Sequence, residues 1–223
     1  MFKFNKKKLI KILIILLEIF AIGLIIYLVA LPFFPNIKYK INYNKKSENI
    51  DWKNEKIVKQ KIDKIINNFP TNLNNKKNNL EQLLPETKYL VSQNRIIIPK
   101  IGVNAPIVES ENSEYGLSKG SWRVPESSTP DKGGNTVITG HRFKYLPPNN
   151  LTFYLFDKLE IGDIVSVIWN KKKYYYKIKE TKIIKPTDLS ILEPTKESIL
   201  TMFTCDPIYS QKNRLVIISE LIN

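Results

Sequence analysis

Cysteine and histidine, the side chains best suited to nucleophilic and acid–base work near neutral pH, each occur once in the 223 residues. His141 follows the run Gly134-Asn135-Thr136-Val137-Ile138-Thr139-Gly140, and Cys205 follows Thr201-Met202-Phe203-Thr204 and precedes Asp206-Pro207. Both runs read as β-strands. A side chain at a strand end, with Gly or Pro nearby, can face a groove while the sheet holds its backbone still, as a reacting pair requires. Arg214 opens a further strand, Asn213-Arg214-Leu215-Val216-Ile217-Ile218, and antiparallel pairing would return it to Cys205. Thiol, imidazole and guanidinium are together the parts of nucleophilic catalysis at a carbonyl. Each also has a plainer reading. A lone cysteine is most often a small buried hydrophobe, and a lone histidine a satisfied polar group. Arg142, beside the histidine, and Arg123, after Trp122, compete with Arg214 for the role of working arginine. Thr204 either offers its hydroxyl to a substrate or oxyanion, or is present for its β-propensity. Tyr174, Tyr175 and Tyr176 form an aromatic run that on a strand alternates between core and surface.

These residues need a frame, and from Val91 onward the texture is that of a β domain, short β-rich runs punctuated by Gly, Pro and Asn. Expected strands are Arg95 to Ile98, Ala105 to Glu109, Asn135 to Thr139, Asp163 to Trp169, Tyr174 to Lys185, Ser198 to Thr204 and Leu215 to Leu221. Seven or eight strands in that length predict a closed barrel or a sandwich. Asn170-Lys171-Lys172 marks a hairpin. One cysteine excludes an internal disulfide framework, and one Cys with one His cannot build the usual zinc site. No Gly-rich phosphate loop, internal repeat or helix-turn-helix pattern is present.

The other end of the chain reads differently. Residues 1–11 are basic, with Lys3, Lys6, Lys7, Lys8 and Lys11 and no acid, and they run into the apolar stretch 12–31. From Leu9 to Leu31 a helix rising about 1.5 Å per residue is roughly 35 Å long, enough to cross a hydrocarbon core of about 30 Å. Glu18 costs on the order of 3 kcal/mol there, which the fifteen Leu, Ile, Phe and Val residues of the stretch outweigh. No small-x-small cleavage site follows, so the prediction is a retained single-pass anchor with a cytoplasmic N-terminus and an extracytoplasmic remainder. Residues 32–90 are expected to be a linker, rich in Asn and Lys, with a short amphipathic helix from Glu55 to Phe69 ended by Pro70 and an exposed loop from Thr71 to Asn79. The net charge is +14 overall and +10 once the five lysines and Glu18 of the first segment are removed, which suits anionic wall polymers or lipid headgroups. Nucleic acid has charge alone in its favour and is not an expected partner of an external domain.

From Ile96 to the C-terminus the sequence resembles the sortases, membrane-anchored cysteine transpeptidases of bacterial surfaces. The likeness lies in Ile98-Pro99-Lys100-Ile101-Gly102-Val103 with Ala105-Pro106-Ile107-Val108-Glu109, in Gly133-Gly134-Asn135-Thr136-Val137-Ile138-Thr139-Gly140-His141-Arg142, in Phe153-Tyr154-Leu155-Phe156-Asp157-Lys158-Leu159 with Gly162-Asp163, and in Thr201-Met202-Phe203-Thr204-Cys205 with Asn213-Arg214-Leu215-Val216. Met202 replaces the Leu of the family's TLxTC signature, an apolar change of similar volume. The resemblance implies an all-β fold, a sortase-like closed barrel of seven to eight strands with short helices, as residues 91–223. It implies Cys205 as nucleophile, His141 as general acid and base, Arg214 as stabiliser of substrate and oxyanion, and Thr204 as a candidate substrate contact. It implies as partners secreted proteins with an LPxTG-like C-terminal sorting signal and an amine acceptor of the cell wall or a pilin. No cofactor and no metal are predicted, because no acid cluster matches a calcium-binding spacing. No Asp-Pro-aromatic lid anchor occurs between Asn36 and Ser92, which favours general anchoring over pilin polymerisation. A related cysteine hydrolase and a non-catalytic membrane-tethered binding module are the alternatives.

Overall fold

The four residues Arg95–Ile98 form β1, and all are buried. Two cores account for this. Ile96 and Ile98 belong to the main core, whereas Ile97 joins Val58, Ile62, Ile164 and Tyr175 in a second cluster on the other side of the wall. Period-two alternation therefore places every isoleucine against apolar neighbours, a pattern possible only where both faces of a sheet are covered.

The computed structural model describes residues 6–46, 51–67, 94–144 and 151–222. Beyond β1, the strands are β2 (Val103–Glu109), β3 (Ser121–Arg123), β4 (Asn135–Thr139), β5 (Ile164–Trp169), β6 (Lys172–Ile184), β7 (Ile199–Asp206) and β8 (Asn213–Leu221). They close into a barrel in the order β1-β2-β3-β4-β7-β8-β6-β5. Closure removes the exposed edges that a sandwich would leave. Two neighbouring pairs, β2 with β3 and β4 with β7, are parallel, and the rest are antiparallel.

A parallel pair needs a crossover, and helix α4 (Ser113–Lys119) supplies the one between β2 and β3. Asn112 caps it, its side-chain oxygen accepting from the Tyr115 amide at 2.9 Å. Neither α4 nor the three-residue β3 was expected from the sequence, because each is too short to display a period. The β5–β6 hairpin turns at Asn170 and Lys171, both at positive φ (49° and 66°), the backbone of a tight two-residue turn at the expected place.

The N-terminal helices are α1 (Lys6–Ala30), α2 (Phe34–Lys46), reached through a single 3-10 turn at Leu31–Phe33, and α3 (Glu55–Asn67). The apolar helix is long enough to cross a membrane and none of its apolar window is buried against the barrel. The linker is more helical than its composition indicates, since α2 was not expected. The predicted loop at 71–79, and most of the stretch searched for a lid anchor, lie outside the described residues. The predicted amphipathic helix forms as α3 and packs on the barrel: Val58 and Ile62 are fully buried against Ile97, Ile164 and Tyr175. Lys59 and Lys61 lie over the rings of Tyr175 and Trp52, and Lys173 pairs with Asp63. Within the tyrosine run, Tyr176 sits in the main core and Tyr175 beneath α3, so the run is structural.

Truncating Ile62 removes a fully buried side chain and should cost about 2–5 kcal/mol, whereas Ile57→Ala, on the exposed side of the same helix, should stay within about 0.5 kcal/mol. Denaturant midpoints of the full chain in detergent give the comparison. Equal midpoints for the two variants would mean that α3 is not docked.

Candidate active site

In the β4–β7 ladder Thr139 lies level with Phe203. Continuing that register by two residues brings His141 level with Cys205, although the two are far apart in sequence. On the other side of β7, the antiparallel ladder with β8 sets Cys205 directly opposite Arg214. Directly opposed residues share a face, with Cα atoms about 4.5–5.5 Å apart. Histidine, cysteine and arginine are thus delivered by three adjacent strands to the same end of the barrel. Cys205 is a half-buried free thiol. The Arg214 guanidinium donates through Nη1 to the carbonyls of Gln211 and Asn213 at 3.2 and 3.1 Å, using one nitrogen of the fork.

Two cross-strand hydrogen bonds fix the histidine relative to the cysteine. The Thr139 hydroxyl donates to the Phe203 carbonyl, and the Thr204 hydroxyl donates to the Gly140 carbonyl, both at 2.8 Å. Each threonine is buried, and Thr204 is only 1% exposed. Alternation turns its side chain away from the face that carries Cys205. The hydroxyl, left open between a substrate contact and a residue present for its β-propensity, therefore has an internal partner.

The residue between the two tethers must be small. A Cβ on Gly140 would sit 3.0–3.1 Å from the Phe153 ring, which is fully buried and stacked on Phe156. The Phe153 amide in turn donates to the His141 carbonyl at 2.8 Å. Directly after the histidine, Arg142 is 4% exposed; its Nε donates to the Tyr154 carbonyl (2.9 Å) and Nη2 to Asp157 Oδ1 (2.7 Å), with Asp206 at 3.9 Å from Nη1. Burial works against that charge, and Asp157 and Asp206 support it. Arg142 is thereby committed to holding the loop. The other competitor, Arg123, is held by Glu109 (2.7 Å to Oε1) and by the carbonyls of Val124, Pro125 and Ser127. Of the three arginines, Arg214 alone pairs with Cys205 across a ladder rung, while Arg142 also interacts electrostatically with the thiol.

Sequence reasoning missed Phe153, Tyr154 and Asp157 as supports of the histidine loop. Only the fold reveals them, because a backbone carbonyl or a ring over a glycine leaves no spacing signature. Tyr154 also meets the rim: its ring lies 6.2 Å from that of Phe143, which packs edge-on against Tyr209 at 4.7 Å. Burial, chiefly, and Tyr209 next push the Tyr154 phenol up to about 12.

A cavity of about 470 Å³ bounded by Ser128, Lys132, Asn135, Leu192 and Lys196 lies where β4 and β7 begin, at the opposite end from Cys205. Among the described residues no group of three His, Cys, Asp or Glu side chains is placed to hold a metal.

The profile of the sortase domain matches residues 96–222 of the chain. The chain belongs to the sortase family. It is 34% identical over 112 residues to Sortase D of Bacillus subtilis, covering 49% of this chain and 52% of that one. To Sortase A of Listeria monocytogenes it is 27% identical over 126 residues, covering 56% and 54%. The chain spans about half the length of these curated relatives. Among solved structures it is similar to Sortase C2 of Group B Streptococcus Pilus Island 1, with a TM-score of 0.53 and 31% identity over 61% of this chain and 78% of that one. The closed eight-stranded barrel is the sortase fold.

Burial first, and the Lys144 cation second, hold the His141 imidazolium below its ordinary value of 6.5. The neutral ring is therefore favoured in the folded state, and the stability it contributes is complete above pH 6.5 and lost as pH falls through that value toward the folded one. An NMR titration of the single histidine in Cys205→Ala should give a value below 6.5, and Lys144→Gln should raise it part of the way back. A midpoint at or above 6.5 in the parent would contradict the desolvated setting.

Proposed function

We propose that this sortase is a cysteine transpeptidase that cleaves an LPxTG-like sorting signal of secreted proteins and transfers the acyl part to an amine of the cell wall or a pilin. One observation carries the reading: Cys205 faces Arg214 across a ladder rung, and the Thr204 hydroxyl beside it is bonded to the carbonyl of Gly140, the residue before His141. In this mechanism the Cys205 thiol gives its proton to His141 and its sulfur attacks the carbonyl carbon of the Thr–Gly bond. Arg214 stabilises the oxyanion. The C–N bond breaks as His141 returns the proton to the departing amine, leaving a thioester on Cys205. The acceptor amine attacks the thioester, His141 takes its proton, the new amide forms and the thiol is regenerated. A free thiol, with a pKa of about 8.5, is only a few per cent thiolate at pH 7, so a neutral imidazole able to accept its proton is what the first step requires. In the same reading α1 is a single-pass membrane anchor with its N-terminus in the cytoplasm and the barrel outside, supported by its basic flank and its unburied apolar surface.

Incubation with a sorting peptide should load a thioester on Cys205, visible by mass spectrometry, that added amine discharges into a new amide. Product that never contains the amine would instead identify a hydrolase. Arg214→Ala should lower kcat/KM by about 10²- to 10³-fold, with Cys205→Ala and His141→Ala inactive.

Thr204 acts in this scheme by positioning, through its bond to the carbonyl preceding His141, rather than by touching substrate. Thr204→Val should therefore lower kcat by about 10- to 100-fold at nearly unchanged KM, and Thr204→Ser should restore it. A change confined to KM would return Thr204 to the substrate-binding surface.

A further inference from the structure

The barrel is fastened to the end of the apolar helix through a residue of the histidine-loop scaffold. The Tyr154 hydroxyl donates to the Pro32 carbonyl at 2.7 Å and accepts from the Asn36 side-chain amide at 3.2 Å. Pro32 is the first residue beyond the apolar run that ends at Leu31. The same tyrosine gives its backbone carbonyl to Arg142, next to His141, and its ring neighbours Phe143.

Exposure along this segment has a helical period. Leu31, Pro32, Pro35, Asn36 and Tyr39 are half-buried on the side that meets Tyr154, whereas Phe33, Phe34, Ile37 and Ile41 are each about half exposed on the other side. On the aromatic rim Tyr209 is similarly open, at 63% exposed, Phe143 is half-buried, and Tyr154 lies buried beneath them. Exposed lysines occur in each segment that meets here: Lys38 and Lys40 on α2, Lys144 after Phe143, and Lys212 in the β7–β8 loop.

We infer that Tyr209 and Phe143, seated on the buried Tyr154 that latches to Pro32 and Asn36, form with the exposed side of the Phe33–Ile41 segment a docking surface for the anionic lipid bilayer, holding the reactive end of the barrel in the headgroup layer. The inference rests on α1 being the membrane span. Three features converge on a bilayer. A helix of the length of 9–31, at about 1.5 Å per residue, uses up the hydrocarbon core of about 30 Å, so Pro32 emerges at the interface and brings Tyr154 with it. The exposed Tyr209 is an aromatic ring with a polar tip, the kind of side chain that settles at that depth. Lysines around such a rim complement anionic headgroups within a Debye length. The consequence for substrate choice is geometric: a peptide held close to the membrane reaches Cys205, and one extended far into the wall does not.

The test uses the full chain as Cys205→Ala, reconstituted in vesicles of phosphatidylcholine and phosphatidylglycerol carrying brominated acyl chains. A bimane label is placed singly at Lys144→Cys, at Lys196→Cys on the opposite end of the barrel, or at Leu24→Cys within α1. Labels at 24 and 144 should lose emission to the bromolipids and the label at 196 should not. Tyr154→Phe, which keeps the ring but removes the hydroxyl from Pro32 and Asn36, should lower the docked-to-undocked ratio read at 144 by about fivefold and leave 24 unchanged. Quenching at 24 with none at 144 beyond that at 196 overturns the docking surface and leaves the anchor standing. A second copy covering the rim would give that same result. No quenching at 24 overturns the anchor and the docking surface together. Quenching at 144 that Tyr154→Phe does not change overturns the latch.

Discussion

The parallel ladder between β4 and β7 is the constraint on which the reactive end of this molecule depends. It sets residues more than sixty positions apart level with one another, and two threonine hydroxyls bridge the strands just before the site. Strand alternation makes the arrangement unforgiving. A slip of one residue would turn Cys205 into the core and present Thr204 to solvent. Closure of the barrel opposes the slip, because β7 is gripped on its other side by eight rungs with β8, the last of which include Cys205 against Arg214. The same geometry that orders the core therefore orders the chemistry.

Behind the histidine lies a second layer whose energetics run opposite to those of a simple surface site. Arg142 carries a guanidinium that is almost completely removed from water, a placement tolerable only with strong acceptors at hand. Asp157 and the Tyr154 carbonyl provide them, and both belong to the segment whose Phe153 packs over Gly140 and bonds to His141. A buried cation so placed stiffens the loop. Arg214, by contrast, is only partly buried and has its fork only partly engaged by backbone carbonyls. The two arginines thus differ chiefly in burial and in how many partners each holds.

This difference was only partly legible in the sequence. Strands with strong β character were readable: Arg95–Ile98 and Asn135–Thr139 occur with the expected bounds, and the others differ at their ends by no more than two residues. Cys205, His141 and Arg214 were conspicuous because two are unique and all three flank or open strands. What could not be read depends on contacts distant in sequence. β3 has three residues and no period of its own, existing because β2 and β4 offer it ladders on both sides. α2 contains Asn and Lys where an apolar stripe would be expected, and its half-buried side is assembled from Pro35, Asn36 and Tyr39. The hydroxyl of Thr204 was free to point anywhere until the register gave it the Gly140 carbonyl.

The barrel is also not the whole of the folded unit. The family match begins at residue 96, yet Ile97, Ile164 and Tyr175 on the outside of the wall are covered by Val58 and Ile62 of α3. Cut away, that helix would leave an apolar patch on strands β1, β5 and β6, which close the barrel on the side away from the β4–β7 ladder. The sequence of β1 already encodes this dependence. Three successive isoleucines make sense on a strand with an interior on each side, and the second interior exists only because a preceding segment folds back onto it. Among the described residues the N-terminal region joins the barrel through contacts of different physics, an apolar seam at α3 and a polar latch at Tyr154 among them.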